Sequence, residues 1–194
     1  MRFSKRVPNL SWFLTADTRA PQNVERLRRD LIVAASLSET FAFFADAANL
    51  QRITPPWLHF STLTPMPVQM QSGLEIAYRI RLYGLPIPWR SRIDVWQPGR
   101  CFVDRQTVGP YRWWRHEHRF ESVPGGTRVI DHVDYAPRLG WLSGAVVRRD
   151  LCRIFEYRHE ALRRIFPAGP LRQTTSSWTR QHVGSKAGRS SGFK

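Results

Sequence analysis

From residue 25 to 135, apolar and polar positions mostly alternate with a period of two, and from 143 to 166 they recur every three or four residues. The first pattern belongs to strands with one buried face, the second to a helix with one apolar stripe. Residues 25–34 end in a β-prone apolar run and predict the first strand. Ser36-Leu37-Ser38-Glu39 has the Ser-x-x-Glu spacing of a capping box and opens a short helix through Phe44, with Phe41 and Phe44 inward. Asp46 caps a second short helix over 47–53. Thr54-Pro55-Pro56 stops it, because proline lacks the N–H that a further turn needs. Six more strands are expected over 57–63, 74–82, 87–96, 101–107, 112–123 and 127–135. Tyr83-Gly84-Leu85-Pro86, Pro98-Gly99, Gly109-Pro110 and Pro124-Gly125-Gly126 turn the chain between them.

In the last pattern, Val147, Leu151, Ile154/Phe155, Arg158, Leu162 and Ile165 form one stripe of about six helical turns. Pro167 ends it. The predicted class is α+β. A curved antiparallel sheet of about seven strands carries two short helices after strand one, and the long C-terminal helix lies across its open side. The sheet needs its apolar face covered, and only this helix is large enough. A strongly curved sheet does not close completely onto one helix, so a cavity between them is expected.

The strand Trp114-Arg115-His116-Glu117-His118-Arg119-Phe120 gives that cavity its chemistry. Alternation puts Trp114, His116, His118 and Phe120 on one face. That face is too aromatic for a surface and too polar for an ordinary core. The matching inner sets are Val129, Asp131, Val133 and Tyr135 on the last strand, and Phe102, Asp104 and Gln106 on the strand from 101. The expected ligand-binding lining is Tyr78, Trp89, Asp104, Gln106, Trp114, His116, His118, Asp131 and Tyr135. Buried carboxylates need partners, and His116 or His118 can serve Asp131 or Asp104. Such a pair can orient a ligand, satisfy itself within a core, or act as general acid and base. His116, His118 and Asp131 are the catalytic candidates under the last option.

Charge changes the picture at the ends. The net charge is +15. Residues 1–23 form a basic extension. Residues 167–194 hold five basic side chains and no acid, which with their Ser, Thr and Gly content predicts a disordered tail. The domain proper is expected over 24–166. Basic tails are drawn to polyanions, so peripheral contact with an anionic membrane is a candidate. The Arg-rich stretches lack a nucleic-acid recognition motif, which disfavours nucleic acid as a partner. Leu10–Leu14 is too short for a signal core, and no stretch approaches the ~20 apolar residues of a membrane span. Cys101 and Cys152 match no metal or redox spacing and suit a reducing, cytoplasmic setting. There is no Gly-rich phosphate loop, nucleophile elbow or zinc-finger spacing; His116-x-His118 with a carboxylate could ligate a metal, but two histidines at strand spacing are common by chance. No cofactor and no metal are therefore expected.

Several segments together resemble a known superfamily. They are Phe41-Ala42-Phe43-Phe44-Ala45-Asp46-Ala47-Ala48-Asn49-Leu50, Thr54-Pro55-Pro56-Trp57, Phe102-Val103-Asp104-Arg105-Gln106, Gly109-Pro110-Tyr111, the 114–120 strand and Gly125-Gly126-Thr127. Residues 24–166 resemble the START-like helix-grip (SRPBCC) superfamily of polyketide cyclases, lipid-transfer domains and pollen-allergen-type proteins. They resemble most its small bacterial domains of the cyclase/dehydrase or coenzyme-Q-binding-like kind. The resemblance implies the helix-grip fold; it implies function less, because this fold hosts carriers, enzymes and receptors alike. The favoured expectation is a non-catalytic module that binds or transports a small hydrophobic or amphipathic ligand such as a lipid, quinone or polyketide-like molecule. The alternatives are a cyclase/dehydrase-type enzyme working through a His/Asp pair, and a charge-driven nucleic-acid or protein interaction domain.

Overall fold

The computed structural model describes residues 16–17, 19–138 and 144–167. Most of both basic segments, and Trp141, lie outside the described residues. The chain runs through β1 (Glu25–Val33), α1 (Leu37–Ala45), two 3-10 helices (Ala47–Ile53 and Pro56–Leu58) and β2 (Ser61–Thr62). It continues through β3 (Glu75–Leu82), β4 (Leu85–Gln97), β5 (Cys101–Val108), β6 (Tyr111–Val123), β7 (Gly126–Pro137) and α2 (Gly144–Ile165). One antiparallel sheet has the order β1-β7-β6-β5-β4-β3-β2. The α+β helix-grip architecture is as the pattern predicts.

Local chemistry explains the element ends. Ser36 Oγ accepts from the Glu39 N–H, and the Ser36 N–H donates to Glu39 Oε2 at 2.9 Å, so the capping box starts α1. The expected strand over 57–63 is mostly absent. Pro56 presets a turn, the Leu58 and His59 N–H groups donate back to the Pro55 and Pro56 carbonyls, and His59 is left-handed. Only Ser61 and Thr62 remain to pair with β3. At the β3–β4 hairpin the loop is just Tyr83 and Gly84, both at positive φ, so Leu85 and Pro86 already belong to β4. Gly126 is required at the start of β7: a Cβ there would lie 1.9 Å from the Val33 carbonyl oxygen.

Bulges curve the sheet. The register skips Asp94 on β4, Thr107 on β5 and Arg112 on β6. On the concave side the core falls into two apolar clusters. One joins Leu31, Val33, Phe41, Phe43, Phe44, Phe102, Phe120 and Leu162. The other joins Leu27, Trp114, Val133, Tyr135, Val147, Leu151 and Phe155. Helix α2 contributes to both, so a single helix clamps both ends of the sheet. Ala16 and Asp17 are tied to the Thr107 and Arg112 backbones, which anchors part of the N-terminal extension on the β5–β6 end. Among the described residues no helix is long and apolar enough to cross a membrane. Cys101 and Cys152 are half-buried and unbridged.

Candidate functional site

A polar layer lies between the two apolar clusters. His116 and His118 are neighbours on the inner face of β6, with ring centroids 3.7 Å apart. His118 stacks on Phe102 and contacts Phe44, rings of the first cluster. His116 contacts Trp114 and Phe155, rings of the second. Strand pairing sets Asp104 opposite His116 and Asp131 opposite His118. Each histidine thus reaches a carboxylate on both flanking strands.

Asp131, 1% exposed, is the hub. Its Oδ1 lies 2.9 Å from His116 Nε2 and 3.0 Å from His118 Nδ1. Its Oδ2 faces Arg158 Nε of α2 at 3.4 Å, a charge contact in which neither atom completes a hydrogen bond. On the other side, Asp104 Oδ2 lies 3.3 Å from His118 Nε2 and 3.9 Å from His116 Nδ1. Asp104 Oδ1 accepts from Ser91 Oγ, which also meets Tyr78 Oη and Trp89 Nε1.

Burial sets the electrostatics. It disfavours the charged form of His116, and the neighbouring His118 adds to this, so the imidazole is pushed down to about 4 despite Asp131. Burial would raise Asp131, but the Arg158 cation and the hydrogen bonds from both histidines hold it well below the usual carboxylate range. Asp104 follows the same pattern: burial opposes its ionisation, and the His118 hydrogen bond and the two imidazoles outweigh it. Burial raises the Tyr78 phenol far above its usual range, so it stays a neutral donor.

The cavity opens beside this layer, between α2, the 3-10 helices and strands β3 to β6. Its main lobe, about 170 Å³, has Tyr78, Trp89, Asp104, Tyr111, Trp114, His116 and His118 on the sheet side. Leu151, Ile154, Phe155 and Arg158 of α2, with Leu50, Ile53, Pro55, Leu58 and Phe60, face them. A smaller lobe of about 80 Å³ runs toward Phe43, Phe44, Met70 and Ile93. Both lobes touch Leu50, Ile53, Tyr78, Asp104, His118 and Arg158, so they lie side by side across a polar waist.

Residues 33–166 match a protein family described as a domain of unknown function (DUF8410). The chain belongs to this family. A comparison of its sequence with curated proteins found no match. Among solved structures, it is similar to a START superfamily protein from Mycobacterium smegmatis, at 14% identity and a TM-score of 0.58 over 73% of this chain and 97% of that one. It is also similar to the Zhui aromatase/cyclase from Streptomyces sp. R1128, at 21% identity and a TM-score of 0.52 over 76% and 99% of the two chains. A third is the di-domain ARO/CYC StfQ from the steffimycin biosynthetic pathway, at 14% identity and a TM-score of 0.58 over 75% of this chain and 51% of that one. These likenesses establish the START-like helix-grip fold for this DUF8410 domain.

Tyr78, Trp89, Asp104, Trp114, His116 and His118 reach the cavity surface, and three other expected lining residues do not. Asp131 sits behind the histidines, closed off by Arg158. Gln106 is fully buried, turned to the Tyr111 backbone, and pinned beside Gly109, where a Cβ would collide with it. Tyr135 packs in the second cluster with its hydroxyl on Glu25. Of the cavity residues that escaped sequence reasoning, Tyr111 and Arg158 bear most on its chemistry. Strict alternation pairs Tyr111 with Trp113 rather than Trp114; the bulge at Arg112 puts Tyr111 and Trp114 together, with ring centroids 4.8 Å apart. Arg158 had a signal, since it is the one cation in the apolar stripe of the long helix.

Proposed function

We propose that this domain binds a small hydrophobic or amphipathic ligand between the sheet and α2. The observation that carries this reading is an apolar, aromatic-walled cavity whose few polar groups converge at one waist. That is the usual build of a small-molecule site. Apolar burial supplies affinity at ~25 cal/mol per Å², and the polar waist fixes orientation. The main lobe is close to the ~150 Å³ engineered cavity known to accept a benzene ring. With the second lobe, it suits a compact ligand of one or two rings, polyketide- or quinone-head-like, better than a long lipid chain. Native mass spectrometry of the purified protein, followed by organic extraction, tests this. A stoichiometric compact apolar molecule, lost in the cavity-filling variant Ile154→Trp, is the expected result. An empty protein that also fails to bind a panel of aromatic ligands would overturn it.

A second reading has its own observation. His116 is held from behind by Asp131 while its Nδ1 faces Asp104 and the cavity, an arrangement that can orient a general base. Under this reading the domain is a cyclase/dehydrase-type enzyme. Unchanged turnover of a true substrate in His116→Ala and Asp131→Asn would remove it. Membrane contact rests on the charge of the basic segments alone. A nucleic-acid role would need steep salt-dependent binding with no cavity ligand.

A further inference from the structure

We propose that Asp104, His116 and His118 form a site for one divalent transition-metal ion of the zinc class, open to the cavity. The inference stands apart from the apolar-ligand reading. It begins with hydrogen-bond direction. Asp131 Oδ1 can only accept, so His116 Nε2 donates to it and His116 Nδ1 keeps its lone pair. His118 Nδ1 lies 3.0 Å from Asp131 Oδ1 and 3.4 Å from Arg158 Nη2; the guanidinium can only donate, so in the metal-free chain His118 Nε2 carries the proton and donates to Asp104 Oδ2. Moving that proton to Nδ1, toward Asp131, frees Nε2, so that His116 Nδ1 and His118 Nε2 both offer lone pairs. Both point at Asp104 Oδ2, itself an acceptor. In that tautomer three acceptors face one another and can hold a cation among them. A metal ion would take the place of the His118 proton on Asp104.

The dimensions suit the metal. Donors 2.0–2.1 Å from a tetrahedral zinc ion are roughly 3.3 Å apart. The His118–Asp104 separation is 3.3 Å, and the His116–Asp104 separation of 3.9 Å needs only a small side-chain adjustment. One donor atom from each of the three residues lies within 4.8 Å of the others, and no other His, Cys, Asp or Glu group among the described residues converges this way. The outer shell is in place as well. Metal-bound histidines nearly always donate their second nitrogen to a carboxylate, backbone carbonyl or water, and both rings here hold theirs within 3.0 Å of Asp131 Oδ1. Ser91 holds the second oxygen of Asp104, and Tyr78 and Trp89 hold Ser91. Two histidines and one carboxylate leave open coordination positions, and all three residues line the cavity. Water from the cavity would complete the coordination. From sequence the third ligand was a carboxylate of open identity; pairing of β5 with β6 selects Asp104.

The test uses the full chain, stripped with chelator and titrated with Co²⁺ and then Zn²⁺ at pH 7.5. One equivalent of Co²⁺ should bind with visible d–d absorption and be displaced by Zn²⁺. Asp104→Asn and His118→Gln should each weaken binding at least tenfold. Asp131→Asn, acting through the histidines, should weaken it roughly 10–100-fold. Near-UV circular dichroism confirms that each variant is folded. Absence of the visible band in the folded wild-type protein would overturn the proposal and leave the His118 Nε2–Asp104 hydrogen bond as it stands. Binding unchanged in Asp104→Asn and His118→Gln would overturn it too, by putting the ion on other side chains. Failure here leaves the extraction result untouched, so the two readings fail separately.

Discussion

Asp131→Asn is the most informative single perturbation of the fold. Asparagine keeps the shape and removes one charge. Asp131 is 1% exposed and Arg158 7% exposed, so water cannot replace what the carboxylate supplies. The substitution leaves a buried guanidinium without a counter-charge, and its amide replaces the carboxylate that faced His116 Nε2 and His118 Nδ1. Removing one partner of a buried ion pair costs about 3–5 kcal/mol, against a total stability of about 5–15 kcal/mol for a typical domain. With a urea m-value of about 2 kcal/mol/M, the unfolding midpoint should fall by about 2 M. Arg158→Met should cost a similar amount, because it strands the carboxylate instead. The double variant should cost clearly less than the sum, with a coupling of about 2 kcal/mol read from a double-mutant cycle in urea. A loss below about 1 kcal/mol for Asp131→Asn, or strict additivity, would refute the reasoning. Either would mean that solvent reaches this layer.

Other expectations follow from the same structure. His116 titrates near 4 when folded and near 6.5 when unfolded, so below 6.5 the unfolded chain takes up a proton that the folded one does not. Stability should therefore drop by about 3 kcal/mol as pH falls from 6.5 to 4, measured by urea unfolding at each pH, and a flat profile would contradict the burial argument. The depressed Asp104 and Asp131 add a further loss as pH falls below 3.8. Leu162→Ala, at a fully buried position of the first cluster, should cost about 3 kcal/mol and lower Tm by roughly 6–12 °C in a calorimetric scan. Gly126→Ala should destabilise by more than 1 kcal/mol, since its Cβ would drive into the Val33 carbonyl; a neutral result in the same scan would show that β1 yields easily. Flotation with anionic liposomes at low salt, lost at high salt, would support the membrane clause, and no flotation at low salt would remove it.

Alternation, turn residues and helical periodicity sufficed for the elements and the layer order, because both are driven by local patterns that repeat over many residues. The Ser36–Glu39 box, the long helix and the inward face of Trp114, His116, His118 and Phe120 were all legible. The strand expected over 57–63 was not, because two prolines override the β propensity of the residues after them. What the sequence could not settle was how the inner faces line up. Three single-residue bulges shift the phase of alternation on β4, β5 and β6, bringing Tyr111 beside Trp114. Cross-strand register then decided that Asp104 and Asp131 flank the same two histidines from opposite sides, and helix packing brought Arg158 down onto Asp131. These contacts join residues far apart in the chain, and one-dimensional spacing carries no information about such distances. The residue types of the polar layer were fixed by sequence alone; its charge balance, its two-sided geometry and its opening to the cavity exist only in the folded chain.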